Sequence, residues 1–513
     1  MVFKLSLLLF GLSLSFSKNG LSATGVPGLN ESTIVREDLK ITEIKRCAGR
    51  GIEGGPGGTF FTVGRINANL SAPEVQPNCI SKIGEKGEEI WKLDLPPKYY
   101  IRNPEMIFIK QANTVYVYFV EDSVWVGQPP GSSYEQVSWL WAINATTGQK
   151  RWEKVLKKCS SASPCDLTPI EQRGSNSRIF SADSKGVFFG QAMGFWFAGD
   201  ATDPWERQIG VSIDMVGFNH SGDLKFEVSD QIDFLTEINP ALGLSLGLQH
   251  LEVDWQKSTI TLIGSRLRKF RTSVKAEVFI DHLTFQGTRL WRYRPSDFPY
   301  PSSLPTAQFV RKDSFGFLMQ RQGVYFGLIV GRDGKQKALH SDIISIPSSD
   351  EFPELSNGPA SLRVIEFADG DYGIPFGFGF NLFSINLKGD LTGIQSKTKT
   401  EVYKPGDENQ LHPDFRIVPA ENDTFYVFSP DIGSQSADDE PKTVFYERFT
   451  VSGKDLVLKK RETVVNTEPS KWISWAENTF HFVAKTENAD VIQHGLYLAG
   501  PNQYAFGFIR WEK

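Results

Sequence analysis

Apolar and polar positions alternate in short runs along this chain, and polar turns separate the runs. TVYVYFV (114–120) and GLSLGLQHLEV (243–253) show the period-two pattern most clearly. That pattern sends successive side chains to opposite faces of a strand. The basic segment SRLRKFRTSVKAEVF (265–279) carries Thr, Ser and Val in a mix that favours strand over helix. Nowhere does a convincing amphipathic helix appear.

One hairpin unit recurs: an apolar strand, a polar turn with Gly, then a bulky residue four positions on. It is seen in IGEKGEEIW (Gly87, Trp91), AINATTGQKRW (Gly148, Trp152), GFNHSGDLKF (Gly222, Phe226) and HLTFQGTRLW (Gly287, Trp291). Weaker copies surround Gly334, Gly389 and Gly453, so the glycines stand 47 to 74 residues apart. The runs KWISW, TFHFVA, GLYLAG and QYAFGFIRW supply strands for one further sheet, with a turn at AGPNQ. A hairpin repeated at such intervals predicts a series of small sheets. Each has two apolar faces, and radial packing around an axis buries both while leaving only short edges. The expected fold is therefore all-β: one β-propeller domain over residues 24–513, with seven or eight four-stranded blades. The Gly supplies the positive φ of a tight hairpin. The ring after it supplies up to roughly 250 Å² of buried surface between neighbouring sheets.

AINATTGQKRW resembles the repeat of pyrroloquinoline-quinone-type (PQQ-like) β-propellers, in which Ala, Asp, Thr-Gly and Trp recur at fixed spacing. Ala142, Thr147, Gly148 and Trp152 match, Asn144 stands where Asp is usual, and GEEIWKLDL around Trp91 looks like the second half of the unit. Phe226 and Trp291 are partial matches. The resemblance implies a propeller that commonly has eight blades. For its enzymatic members it also implies an axial quinone, a calcium ion and a catalytic carboxylate. Many such enzymes carry adjacent cysteines over the cofactor, and this chain has no Cys-Cys pair. No Asp or Glu can be matched to their catalytic motifs. Other members of the superfamily lack the cofactor and serve as binding platforms or assembly factors.

Composition adds a compartment. Residues 1–23, MVFKLSLLLFGLSLSFSKNGLSA, have an early Lys, an apolar run from Leu5 to Phe16 and small residues before a cleavage point after Ala23. This is the layout of a secretory signal, too short for the roughly 20 residues that span a bilayer. Its removal takes Lys4 and Lys18 and no acid, moving the formal charge from −5 to −7. A mildly acidic chain has no global attraction to nucleic acid. The expected location is extracytoplasmic, periplasmic in a Gram-negative host and secreted otherwise, as a monomer without a membrane span. Cys47, Cys79, Cys159 and Cys165 then read as disulfides. Counting leaves three connectivities. The short CSSASPC loop favours Cys159–Cys165, with Cys47–Cys79 as the second pair, worth roughly 2 and 3.5 kcal/mol by chain entropy. A metal site is disfavoured by the lack of Cys-x-x-Cys spacing and nearby His.

Other stretches read as structure. GRGIEGGPGGTFF (49–61) lacks Gly-Lys-Ser/Thr and is read as a flexible connector. ADGDYG (368–373), with Asp369 and Asp371, reads as an ordinary Asp-Gly turn in preference to the start of a calcium loop, since it lacks further carboxylates. IPFGFGFNLF (374–383) reads as a strand needing close backbone approach. The basic run 265–275 is read as charge on an outer strand that blocks edge association. Asn30, Asn69, Asn144, Asn219 and Asn422 lie in Asn-x-Ser/Thr sequons. The seven His form no HxH or HExxH spacing, and no Gly-x-Ser-x-Gly elbow occurs. No catalytic, metal or cofactor residue is expected, and no cofactor. The function this implies is a non-enzymatic platform for a protein, peptide or glycan partner. The alternative is a PQQ- and calcium-dependent dehydrogenase. An outer-membrane barrel fits less well, since lipid-facing alternation is not sustained.

Overall fold

The computed structural model describes residues 34–36, 41–44, 47–64, 78–96, 100–122, 135–160, 178–196, 209–235, 246–270, 273–293, 305–310, 313–321, 324–345, 365–366, 372–376, 381–386, 395–399, 416–419, 424–431, 443–452, 457–465, 472–474, 483–500 and 503–512. The expected leader, residues 1–23, and its cleavage point lie outside these residues. Among them the elements are strands, apart from one short 3-10 turn at Pro56–Gly58. No helix of the described residues is long and apolar enough to cross a membrane.

The strands form successive sheets spanning 49–94, 100–160, 178–235, 246–293, 305–345, 365–399, 416–465 and 472–512. In each of the first seven, four strands pair antiparallel in chain order, as propeller-like blades. The first sheet, for example, runs Gly49–Gly54, Phe60–Gly64, Cys79–Ile83 and Glu89–Asp94. Its opening strand lies beside that of the second sheet, Tyr100–Ile109, which in turn lies beside that of the third, Arg178–Ala182. The third is followed in the same way by Leu246–Asp254 of the fourth. The first four sheets therefore pack face to face with their first strands on a common side.

The last sheet is built differently. Trp472–Ser474 and Val483–Lys485 share one edge of Ala489–Gly500, which pairs with Gln503–Glu512. The fourth position is filled by Ile41–Ile44, antiparallel to 506–509. AGPNQ therefore joins the second and third strands of this sheet, whereas the repeat glycines fall between third and fourth strands. Just upstream, Ile34–Arg36 adds a parallel fifth strand to Val457–Val465 of the seventh sheet. The first sheet also touches the last: Gly49–Gly54 neighbours Val483–Lys485 and Ala489–Gly500.

The core is a set of layers between sheets. Phe61, Val63 and Ile80 of the first sheet meet Val115, Val117 and Trp141 of the second. Met215, Phe226 and Val228 of the third meet Leu251, Ile260 and Phe279 of the fourth. Ile52 and Phe60 meet Ala484, Val491, Phe506 and Phe508 of the last.

Two sequence readings are corrected. GRGIEGGPGGTFF is not a connector: it forms Gly49–Gly54, the Pro56–Gly58 turn and the start of Phe60–Gly64. Its glycines permit close approach, since a Cβ on Gly54 would lie 1.7 Å from the Lys485 carbonyl oxygen. The basic run 265–275 spans Thr259–Phe270 and Ser273–Thr284, the two central strands of the fourth sheet and not an outer one. Asp369 and Asp371 lie outside the described residues, and IPFGFGFNLF crosses from Tyr372–Phe376 into Asn381–Asn386.

Candidate functional site

In the first five sheets the repeat turns join the third and fourth strands, and their geometry follows from the glycine. Gly87, Gly148, Gly222, Gly287 and Gly334 all have φ between +73° and +87°. Four share one hydrogen-bond pattern; in one, Gly222 N–H donates to Asn219 O at 3.0 Å and Asn219 N–H to Asp223 O at 3.0 Å. A register shift follows in the fourth strand, as between Lys150 and Trp152, so each hairpin is a turn closed by a bulge. The turn at Asn144 is one residue longer. There the Asn144 side-chain oxygen accepts from Thr146 N–H at 2.9 Å and Thr147 N–H at 3.1 Å. That is the bond an Asp would accept, so the departure from the repeat preserves the turn. Thr147 Oγ1 in turn accepts from Gln149 N–H at 3.3 Å.

Each ring lies on the next sheet's turn. A Cβ on Gly148 would stand 2.7 Å from the Trp91 indole, on Gly222 2.9 Å from Trp152, and on Gly334 2.7 Å from Trp291. The indole N–H of Trp91 donates to Ala145 O at 3.1 Å, and that of Trp152 to His220 O at 3.0 Å. Phe226 packs on Phe285 of the fourth sheet, ring centroids 4.8 Å apart. Ala142 is buried with Tyr116, Leu140, Val187 and Phe218, where a larger side chain would separate the second and third sheets. Trp91, Trp152, Phe226 and Trp291 thus interlock neighbouring sheets.

The charged groups that sequence reading missed sit on the first strands. Glu105 of the second sheet and Arg178 of the third pair at 2.5 Å, and the guanidinium lies 5.0 Å from the Tyr118 ring centroid. Burial pushes the Tyr118 hydroxyl up to about 12. Glu252 of the fourth sheet pairs with Arg332 of the fifth. Burial lowers the pKa of His250 on the same strand. Glu53, on the first strand of the first sheet, accepts a bond from the Phe108 N–H and faces Lys485 of the last. Desolvation outweighs both and raises its carboxyl to about 7.

Where first and last sheets meet, a contact is made by a cation. Arg510 donates from Nη1 to Gly58 O at 2.8 Å and from Nη2 to Glu85 at 2.9 Å. It borders a small cavity lined by Phe60, Gly84, Gly87, Val491 and Phe508. Beyond it, Glu487 of the last sheet accepts from Gly57 N–H at 3.2 Å and pairs with Lys110 of the second sheet at 2.5 Å.

Cys47 and Cys79 form a disulfide, which ties the residues just after Ile41–Ile44 to the third strand of the first sheet. Cys159 is buried and also disulfide-bonded, while Cys165 lies outside the described residues. The axial calcium and quinone implied by the repeat resemblance would need converging carboxylates. The described first-strand acids sit instead on different sheets, Glu105 with Arg178 and Glu252 with Arg332. Among the described residues no three His, Cys, Asp or Glu converge. This donor set does not fit that pair of groups.

No family model matches the chain, and no curated protein is similar to it. Solved structures that align with it include a putative 6-phosphogluconolactonase from Bacteroides fragilis, 10% identical over 80% of this chain and 98% of that one, TM-score 0.35. The NanB sialidase from Streptococcus pneumoniae is 9% identical over 92% and 94%, TM-score 0.31. The β-propeller domain of the Trilobed protease from Pyrococcus furiosus is 10% identical over 78% and 92%, TM-score 0.29. The activities in those names belong to those proteins.

Proposed function

We propose that this chain is an exported, closed, eight-bladed propeller of the PQQ-like repeat type that binds a protein, peptide or glycan partner without catalysing a reaction. The observation that carries the reading is the inequality of the two ends of the sheets. In an up-and-down sheet the turns between strands one and two and between strands three and four leave from one end. Here those turns are short and closed by backbone bonds, as at 55–59, 110–113, 145–149 and 220–223. The other connections leave from the opposite end. Residues 123–134, 161–177, 197–208, 236–245 and 294–304 each supply ten or more residues there, whereas 271–272 and 322–323 of the fourth and fifth sheets supply two each. The long stretches are rich in Pro, Ser, Asp and aromatic residues, as in FAGDATDPWERQ and RPSDFPYPSSL. Long connections carried on rigid sheets are the usual seat of recognition. The pairing of first-strand acids with arginines on neighbouring sheets supports a structural role for those charges.

The test begins with the full chain on a glycan microarray and against a displayed peptide library. For the best ligand found, replacing 197–208 or 294–304 with Gly-Ser of equal length should weaken binding at least tenfold. Lys335→Ala, at the tight-turn end, should leave it within twofold. Ligand binding indifferent to both replacements, or dye-linked oxidation of alcohols or sugars after addition of quinone and calcium, would overturn the proposal.

A further inference from the structure

We propose that the junction of the first, second and last sheets is an acid-tightened latch, with Glu53 as the group that switches it. Three observations meet there. Gly54 and Lys485 bring the backbones of the first and last sheets into direct contact, so the junction tolerates no added bulk. Glu53, the residue before Gly54, is partly buried there, faces Lys485 and accepts a bond from the Phe108 N–H of the second sheet. The closing strand Ile41–Ile44 is held beside this junction by Cys47–Cys79, so opening has a defined hinge side.

The charges around Glu53 come from every neighbouring element. Lys485 belongs to the last sheet's inner edge, Asp490 to the strand behind it, Glu105 to the second sheet, and Lys110 and Glu487 to the adjoining turns. Of these, Lys485 favours the carboxylate. Lys110 is engaged by Glu487. Desolvation dominates, and the closed junction raises the carboxyl from 4.5 to about 7. A raised carboxyl pKa makes the closed form bind the proton more tightly than the open form. Its contribution to closure is complete below pH 4.5 and is lost as pH rises through 7. Between pH 5.5 and 8.0 the closed-to-open ratio should fall about 25-fold.

Hydrogen exchange read by mass spectrometry on the intact, oxidised chain tests this, with rates corrected for intrinsic pH dependence. Protection of peptides covering 49–64 and 483–493 should drop about 25-fold from pH 5.5 to 8.0, while those covering 213–229 and 251–264 change by less than threefold. Glu53→Gln keeps an oxygen for the Phe108 N–H and should hold the junction's protection constant across that range. Lys485→Met should deepen the drop. A parallel change in all four regions, an undiminished drop in Glu53→Gln, or a shallower one in Lys485→Met would overturn the latch.

Discussion

The junction between the second and third sheets and the junction between the first and last do the same mechanical job with different chemistry. In the former, Trp152 lies on Gly222, bonds the His220 carbonyl and joins a layer with Tyr116, Ala142, Val187 and Phe218. In the latter, Arg510 reaches Gly58 and Glu85, Lys110 reaches Glu487, and a strand from far upstream completes the sheet. The ring belongs to the first four sheets, whose fourth strands carry Trp91, Trp152, Phe226 and Trp291 to the next turn, whereas the fourth strands of the fifth, sixth and seventh carry none. The last sheet's fourth strand is ITEI, which has no ring to offer. Arginine substitutes by reach, and the disulfide substitutes for covalent adjacency. Packed aromatic contact is insensitive to pH and salt. Ion pairs accompany it at the second–third junction, Glu105 with Arg178 and Lys157 with Asp214, but carry more of the closing junction, where no repeat ring is supplied.

The contrast can be broken first at the ring. Trp152→Ala should destabilise the chain by roughly 3–5 kcal/mol in denaturant unfolding. A loss under about 0.5 kcal/mol would mean that the indole contributes no more than an ordinary surface residue. Converting Cys47 and Cys79 to Ser together opens a loop of 32 residues. It should cost about 3.5 kcal/mol by chain entropy. The loss should appear as faster exchange in 503–512, where the closing strand pairs, before it appears elsewhere. Gly54→Ala forces a methyl against the Lys485 carbonyl and should cost about 1–3 kcal/mol. Exchange should rise in 483–493 and stay unchanged in 213–229. Equal loss of protection in both regions would show that the two junctions are not separate units.

Much of the architecture was legible because its signals are local. A glycine at positive φ and a ring four residues later both belong to one hairpin, so spacing alone marked Trp91, Trp152, Phe226 and Trp291. The closing strand was not legible. Ile41–Ile44 pairs with residues more than 450 positions away, and four residues without a turn carry no local signature. Glu53 was hidden for another reason. Its glycine-rich surroundings resemble a linker, yet those glycines allow first and last sheets to touch. The basic run 265–275 misled in the opposite sense, because charge was taken as a mark of an edge while the strands carrying it are central.

Closure of the sheets on one another can be measured directly by zero-length carbodiimide coupling, which joins a lysine to a carboxylate only at contact distance. Lys157 and Asp214, 3.0 Å apart across the second and third sheets, serve as the reference pair. Lys110 and Glu487 belong to sheets at opposite ends of the chain and stand 2.5 Å apart. Closure predicts that both isopeptides form within monomers, in comparable yield. The Lys157–Asp214 link forming without any Lys110–Glu487 link would contradict it.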